Sequence, residues 1–272
     1  MDSQKTAPPT PARRTEPNPL YVASVEKAFD VLKAFRRGQA EFGLRDLGLS
    51  EIARLAGMDK SAAQRFTSTL VALDYLAKDP ITRRYRPAVK LADLYFTYVI
   101  SNRLAEIAMP RLIEAGKVYD TTVNLCELCG TDIIYTIRIP HEKARFEATI
   151  AGRRVPAFCA AGGNVILAHL PDDERQAILD ASPLRPLTDE TIIDPTAIRS
   201  RIARARRAMF DIGVNQAMMH EISTAAPVFN AEGKVVAAVQ IPVYSPQWSL
   251  ADARRKIVPL AVETARAISG SL

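Results

Sequence analysis

Apolar residues recur every three or four positions through most of the first 120 residues, and in shorter alternating or continuous runs after that. The first spacing belongs to a helix of about 3.6 residues per turn, the second to strands whose side chains alternate between faces. Val25, Ala28, Phe29, Leu32 and Phe35 predict a helix over Ser24–Arg37 with Ser24 as its N-cap, followed by a loop through Gly38–Gly48. Leu49, Ile52, Ala53 and Ala56 share one face of a second short helix, which ends at Gly57. Ala62, Ala63, Phe66, Leu70 and Leu73 share one face of a third. Closing those faces on each other leaves Lys60, Ser61, Gln64 and Ser68 outward, with Arg65 at the edge. Tyr75–Lys78 and Arg83–Pro87 then read as a small β-hairpin around Asp79-Pro80-Ile81-Thr82.

Val89–Asn102 is a mostly apolar helix (Leu91, Leu94, Tyr95, Tyr98, Val99), too hydrophobic to lie bare in water, so it is expected to link domains and to pack against a partner subunit. A further helix is expected over 104–120, with Ile107, Ala108, Leu112, Ile113 and Val118 as its apolar positions. Strands are expected at 122–129, 132–139, 145–150, 213–216, 222–229 and 234–243, and helices at 160–170, 172–181, 195–210 and 249–269. Such grouping predicts an α+β fold on a mainly antiparallel sheet. The expected organisation is a tail (1–20), a winged helix-turn-helix domain (21–87), a linker helix (88–103) and a second domain (104–272).

A helix-turn-helix followed by a hairpin presents its second helix to the major groove of double-stranded DNA and its wing to flanking phosphate or the minor groove. The candidate DNA-binding residues are therefore Lys60, Ser61, Gln64, Arg65 and Ser68, with Arg83 and Arg84 on the wing. The plain alternative is a helical hairpin with a solvated face and a basic turn. Charge bears on the choice: residues 1–90 hold 16 Lys/Arg against 10 Asp/Glu, whereas residues 91–272 hold 20 of each. The whole surplus of +6 lies with the motif, as a phosphate-binding module requires.

At 48% hydrophobic and 24% charged the composition is that of a soluble globular protein, and no apolar run reaches the ~18 residues that span a bilayer. The proline-rich start, Met1–Pro19, lacks the apolar core of a signal peptide and is expected to be a disordered tail in a cytoplasmic protein. Cys126-Glu-Leu-Cys129 matches C-x-x-C without a second pair, and strand spacing turns the two thiols to opposite faces. They are expected to be packed thiols, with no metal and no cofactor. The chain has no G-x-S-x-G elbow, P-loop lysine or G-x-G-x-x-G. Cys159, near a helix start, is the one thiol whose position favours a lowered pKa, so a thiol or hydrolase-type enzyme with an accessory DNA-binding domain stays as the alternative.

The chain resembles the IclR family of bacterial transcriptional regulators from about residue 22 onward. The likeness is carried by Leu49-Ser50-Glu51-Ile52-Ala53, Gly57-Met58-Asp59-Lys60-Ser61, Arg65-Phe66, Leu70, Leu73 and Tyr85-Arg86-Pro87. Gly152-Arg153-Arg154-Val155-Pro156, Ala161-Gly162-Gly163, Leu167-Ala168, Ala225-Ala226-Pro227-Val228-Phe229 and Gly233–Val239 extend it through the second domain. The resemblance implies a winged helix-turn-helix, a GAF-like domain binding a small-molecule effector, and a dimer or dimer of dimers on an operator. Arg138-Ile139-Pro140 and Arg154–Cys159 look most like regulators of protocatechuate and 4-hydroxybenzoate degradation, which points to an aromatic acid. Two stretches depart from the family pattern, Asn215–His220 and Gln240-Ile241-Pro242-Val243, and both are expected to line the effector pocket.

Pro156–Leu170 reads as a strand end turning into a helix that starts near Ala160. The free amides and partial positive charge of a helix start favour a carboxylate, and small residues there leave room for one. The expected effector site is Ala161, Gly162, Gly163 and Asn164 for the charge, Phe146, Val155 and Phe158 as apolar walls, and Ser223 and Gln240 as orienting groups. Close packing of Gly162-Gly163, with the two Phe in the core, is the plain reading of the same residues.

Overall fold

A computed structural model describes residues 19–141 and 150–272. The expectations of a disordered tail, of a strand beginning at 145 and of Phe146 as a pocket wall lie outside the described residues. The chain divides into two compact units between Phe96 and Thr97.

In the first unit α1 (Ala23–Phe42), α2 (Leu49–Ala56) and α3 (Lys60–Ala72) precede a hairpin of β1 (Leu76–Lys78) and β2 (Tyr85–Pro87). Helix α1 differs from expectation. It starts one residue before Ser24, at a Val22 N-cap without a side-chain bond, and runs five residues past Arg37 to a left-handed Gly43. Its buried face is Val31, Ala34, Phe35 and Gly38, while Val25 and Phe29 are 53% and 51% exposed. The core ends at the level of Val31, so the first two turns have nothing to pack on. Gly38 lets Leu47 pack closely on this helix: a Cβ there would stand 2.8 Å from the end of the Leu47 side chain, which would have to shift.

Ile52, Ala53, Leu55 and Ala56 of α2 pack with Ala63 and Leu70 of α3, together with Leu47, Leu76 and Tyr85. Gly57 takes the left-handed conformation (φ 68°) that lets α2 stop and α3 leave at an angle. Asp59 caps α3 by accepting from the Ala62 amide at 2.7 Å. Within α3 the expected stripe is corrected at its end. Leu73 is exposed, and Thr67 is fully buried in addition to Ala63, its hydroxyl donating to the Ala63 carbonyl at 2.8 Å.

Helix α4 (Leu91–Ser101) runs across the division and has no buried residue. Helix α5 (Arg103–Tyr119) is capped by Asn102 and buries Leu104, Ala105, Ala108, Leu112 and Ala115. Ile113 and Val118, expected inside, are exposed, because the seam follows the small residues that let the helix approach the sheet.

The second unit continues with β3 (Val123–Cys129), β4 (Asp132–Ile139), β5 (Arg154–Pro156), α6 (Ala161–His169), α7 (Asp172–Ala181) and α8 (Pro195–Ala208). It ends with β6 (Asp211–Val214), β7 (Glu221–Phe229), β8 (Val235–Tyr244), α9 (Leu250–Asp252), a π-helical turn (Ala253–Ile257) and α10 (Val258–Ser269). The sheet order is β5-β4-β3-β8-β7-β6 with antiparallel neighbours throughout the described residues. β6 lies two residues earlier than expected, since Asp211 rather than Gly213 is the first to pair. Helices α5 and α10 cover one face through Leu112, Leu125, Val239, Ile241, Ala261 and Ile268. Helices α6 and α8 cover the other through Cys126, Ala225, Ala238, Val165, Leu167 and Ile202. The fold is α+β, a winged helix-turn-helix followed by a domain on an antiparallel sheet. No described helix is long and apolar enough to cross a membrane.

Candidate functional site

The first surface is the outer side of α3. Lys60, Ser61, Gln64, Arg65 and Ser68 are all exposed, opposite Ala63, Thr67 and Leu70. The wing turn is set by Asp79, whose carboxylate accepts from the amides of Ile81 (2.9 Å) and Thr82 (2.7 Å). Those two bonds hold its pKa below the usual aspartate range. Of the wing arginines, Arg83 is exposed in a left-handed conformation, whereas Arg84 is turned back on the domain. The Arg84 guanidinium meets Asp46 Oδ1 at 2.6 Å and Glu51 Oε2 at 2.8 Å, and donates to the Asp46 carbonyl at 3.0 Å. Glu51 also accepts from the Gly48 amide at 2.6 Å, so Arg84 fastens the wing to the start of α2. Leu47 and Tyr85 add a pair of backbone bonds beside it. Arg86, not among the expected contacts, is exposed on β2.

The second site is a small cavity of about 10 Å³ in the second unit, beside the start of α6. Cys159, Ala160, Ala161, Arg201, Gly213, Gln216, Ala217, Glu221, Ser223 and Gln240 line it. Of the residues expected at an effector site, Ala161, Ser223 and Gln240 are brought together here. Both stretches that depart from the family pattern contribute, through Gln216 with Ala217 and through Gln240. Val155, Phe158, Gly162, Gly163 and Asn164 are buried but do not line the cavity. Val155 and Phe158 are core residues under α6.

The glycines serve packing first. A Cβ on Gly163 would lie 2.2 Å from the Ala157 carbonyl oxygen, and one on Gly162 would lie 2.4 Å from Cys126 Sγ. The Gly162 amide donates to Gln240 Oε1 at 2.9 Å, and Gln240 Nε2 donates to Tyr135 Oη at 2.9 Å. A side chain thus already occupies one amide of the expected carboxylate seat. Asn164 donates to the Ala160 carbonyl (3.1 Å) and Asp211 Oδ2 (3.3 Å).

Arg201 and Glu221 were missed. Arg201 is 3% exposed, paired with Asp211 at 2.7 Å, and donates to the Cys159 carbonyl (3.3 Å) and Gln216 Oε1 (3.2 Å). Its guanidinium lies where a Cβ on Gly213 would be, 2.2 Å away. The sequence carried a signal for it: Arg201 falls between Ile198, Ile202 and Ala205 on the apolar stripe of α8, where a charge needs a buried partner. Glu221 is half-buried two residues before Ser223 on the same strand face. Burial pushes its carboxyl above the usual range, while Arg153 and Arg138 pull it back.

The thiols depart from expectation. Cys126 is buried, but Cys129 is exposed on the opposite strand face, with Arg154 Nη1 at 3.4 Å from its Sγ. The expectation of two packed thiols is corrected, and their opposed directions rule out a shared ion. Burial pushes the Cys159 thiol up to about 12, only partly offset by Arg201, so the lowered pKa expected from the helix start is absent. Desolvation outweighs the helix dipole because the whole start of α6 is inside the protein.

Residues 24–80 match the IclR helix-turn-helix domain and residues 96–270 match the bacterial transcriptional regulator IclR C-terminal domain. The Pca regulon regulatory protein of Pseudomonas putida is 25% identical over 97% of this chain and 91% of its own. The HTH-type transcriptional regulator XynR of Escherichia coli is 27% identical over 81% and 85%. Among solved structures, an IclR transcriptional regulator from Alicyclobacillus acidocaldarius superposes with a TM-score of 0.78 at 24% identity, covering 92% of this chain and 98% of that one. An IclR homologue from Microbacterium hydrocarbonoxydans, solved with 4-hydroxybenzoate, gives 0.73 at 23% over the same shares. Two consecutive domain matches, in the order and on the elements described above, place this chain in the IclR family of DNA-binding transcriptional regulators.

Proposed function

We propose that this regulator reads an operator through Lys60, Ser61, Gln64, Arg65 and Ser68 and is controlled by a small carboxylic acid bound at the cavity beside α6. The observation that carries the effector half is the cavity's make-up. Ser223 Oγ is buried there beside the Glu221 carboxylate, and Arg201, Gln216 and Gln240 complete a polar lining. Polar side chains held out of water around a cavity favour a ligand that can bond to them. Growth of the cavity to hold an acid larger than a water requires side chains to move, as a site that changes shape with its ligand must.

On the DNA, Arg83 and Arg86 contact phosphate while Arg84 keeps the wing in place. Helix α4, with Leu94, Tyr95, Phe96, Tyr98 and Ile100 exposed, is the segment through which two chains pair, and pairs of dimers follow from the same surface. Such a dimer acts on a palindromic operator in the cytoplasm. The test is fluorescence anisotropy on DNA that the protein itself selects from a random pool, with and without benzoate, 4-hydroxybenzoate and short-chain acids. Operator affinity that no acid alters, although one of them binds the protein, contradicts control by a carboxylate.

A further inference from the structure

Helix α4 begins soon after the wing, and the residue before it, Lys90, reaches back to α3. Its Nζ donates to the Leu73 carbonyl, at the C-cap of α3, at 3.0 Å. The same ammonium stands 5.3 Å from the centre of the Tyr75 ring. A cation there meets the negative end of the α3 dipole and the electron-rich face of the ring. Around it, the amides of Leu73, Asp74 and Tyr75 donate to the carbonyls of Thr69, Val71 and Leu70, and the Ala88 amide donates to the Tyr75 carbonyl at 3.0 Å. The last turn of α3, the start of the hairpin and the root of α4 are thereby fastened to one another, all inside the first unit.

Because α4 has no buried residue, core packing does not impose its direction in the first unit, and the contacts at its root acquire weight. Its 11 residues extend about 16 Å. A tilt of about 10° at the root carries the far end through about 3 Å, close to the ~3.4 Å rise of one base pair. Where two chains pair through α4, the angle between α3 and α4 therefore sets the distance between the two copies of α3, and with it the half-site spacing that the dimer accepts. We propose that Lys90 is the positioning residue that fixes this spacing: it reads no base, and acts by holding α3 at one angle to α4. This rests on the pairing through α4 put forward above and adds the residue that sets the geometry of the pair. Lys90 is exposed, and its bond to the carbonyl replaces one to water, so its loss frees the angle at little cost to folding.

The test uses the full chain, the operator it selects from a random pool, and versions of that operator with one base pair inserted or removed between the half-sites. Anisotropy should find the unmodified protein binding the altered spacings at least about tenfold more weakly than the selected one. Lys90→Met, which keeps an apolar stem beside Tyr75 and removes the charge, should bring the three spacings within about threefold of one another. Lys90→Arg, which restores a cation and a donor, should recover the preference. Arg83→Ala, on the wing, should lower all three affinities alike and keep their ratio. A Lys90→Met variant that loses affinity uniformly marks a phosphate contact of that same kind and overturns the proposal, as does an unchanged profile. Sedimentation of the complexes counts the chains. One chain per operator overturns the pairing and the proposal with it, whereas two or more chains with an unchanged spacing preference in Lys90→Met overturn the role of Lys90 alone.

Discussion

Gln64 and Arg84 show how two polar residues on one DNA-binding unit take different work. Gln64 projects from α3 opposite its buried stripe, free to pair with a base edge. Gln64→Ala should cost ~1–3 kcal/mol at one operator position and little elsewhere, which a panel of single-base operator variants will reveal. Arg83→Ala should weaken binding to all sequences alike and lower the salt slope by about one. Arg84→Ala should act through the wing's order, since its guanidinium is spent on Asp46 and Glu51. The thiols give a second residue-scale test. At pH 8 iodoacetamide should label Cys129 in the folded protein and spare Cys126 and Cys159, whose thiols burial raises far above the solution pH. Rapid labelling of Cys159 before unfolding would contradict the described start of α6.

At the scale of elements, the start of α6 depends on contacts that a methyl group would destroy. Gly163→Ala should destabilise by ~1–3 kcal/mol or more in denaturant titration, because the Ala157 backbone stands in the way. Removing Arg201 alone should be harsher, ~3–5 kcal/mol, since it strands Asp211 in the interior. Replacing the pair together, Arg201→Met with Asp211→Leu, should restore most of that loss. Much of this architecture was legible in the sequence. Periods of three and four found α2, α3 and α5, and alternating or continuous apolar runs found β3, β4, β7 and β8 within a residue or two. What stayed hidden depends on which neighbour is present. The outer turns of α1 carry the same apolar spacing as its inner ones but meet no partner in the unit. The lining of the cavity proposed for the effector was half legible: Ser223, Ala161 and Gln240 were expected together from polarity and a helix start, and all three line it. Glu221 was not, because only the pairing of β7 with β6 and β8 brings its start to the cavity beside α6.

For the whole molecule, the proposed pairing of two chains through α4 sets the expectation. Sedimentation at micromolar concentration should find a dimer or larger, and Leu94→Glu with Phe96→Glu should shift the population toward monomer and weaken operator binding. A stable monomer of the unmodified chain would leave this helix unexplained. The central claim is the proposal that a small carboxylic acid bound in the second unit changes the affinity of the first for DNA. Linkage makes the test direct, because each ligand must alter the other's binding by the same factor. The decisive measurement is the operator dissociation constant, by anisotropy, at zero and at saturating concentration of the acid that binds, paired with calorimetry of that acid with and without operator. The account predicts a shift of about 5–150-fold, equal in both directions. An acid that binds tightly yet leaves the operator dissociation constant where it was would contradict it.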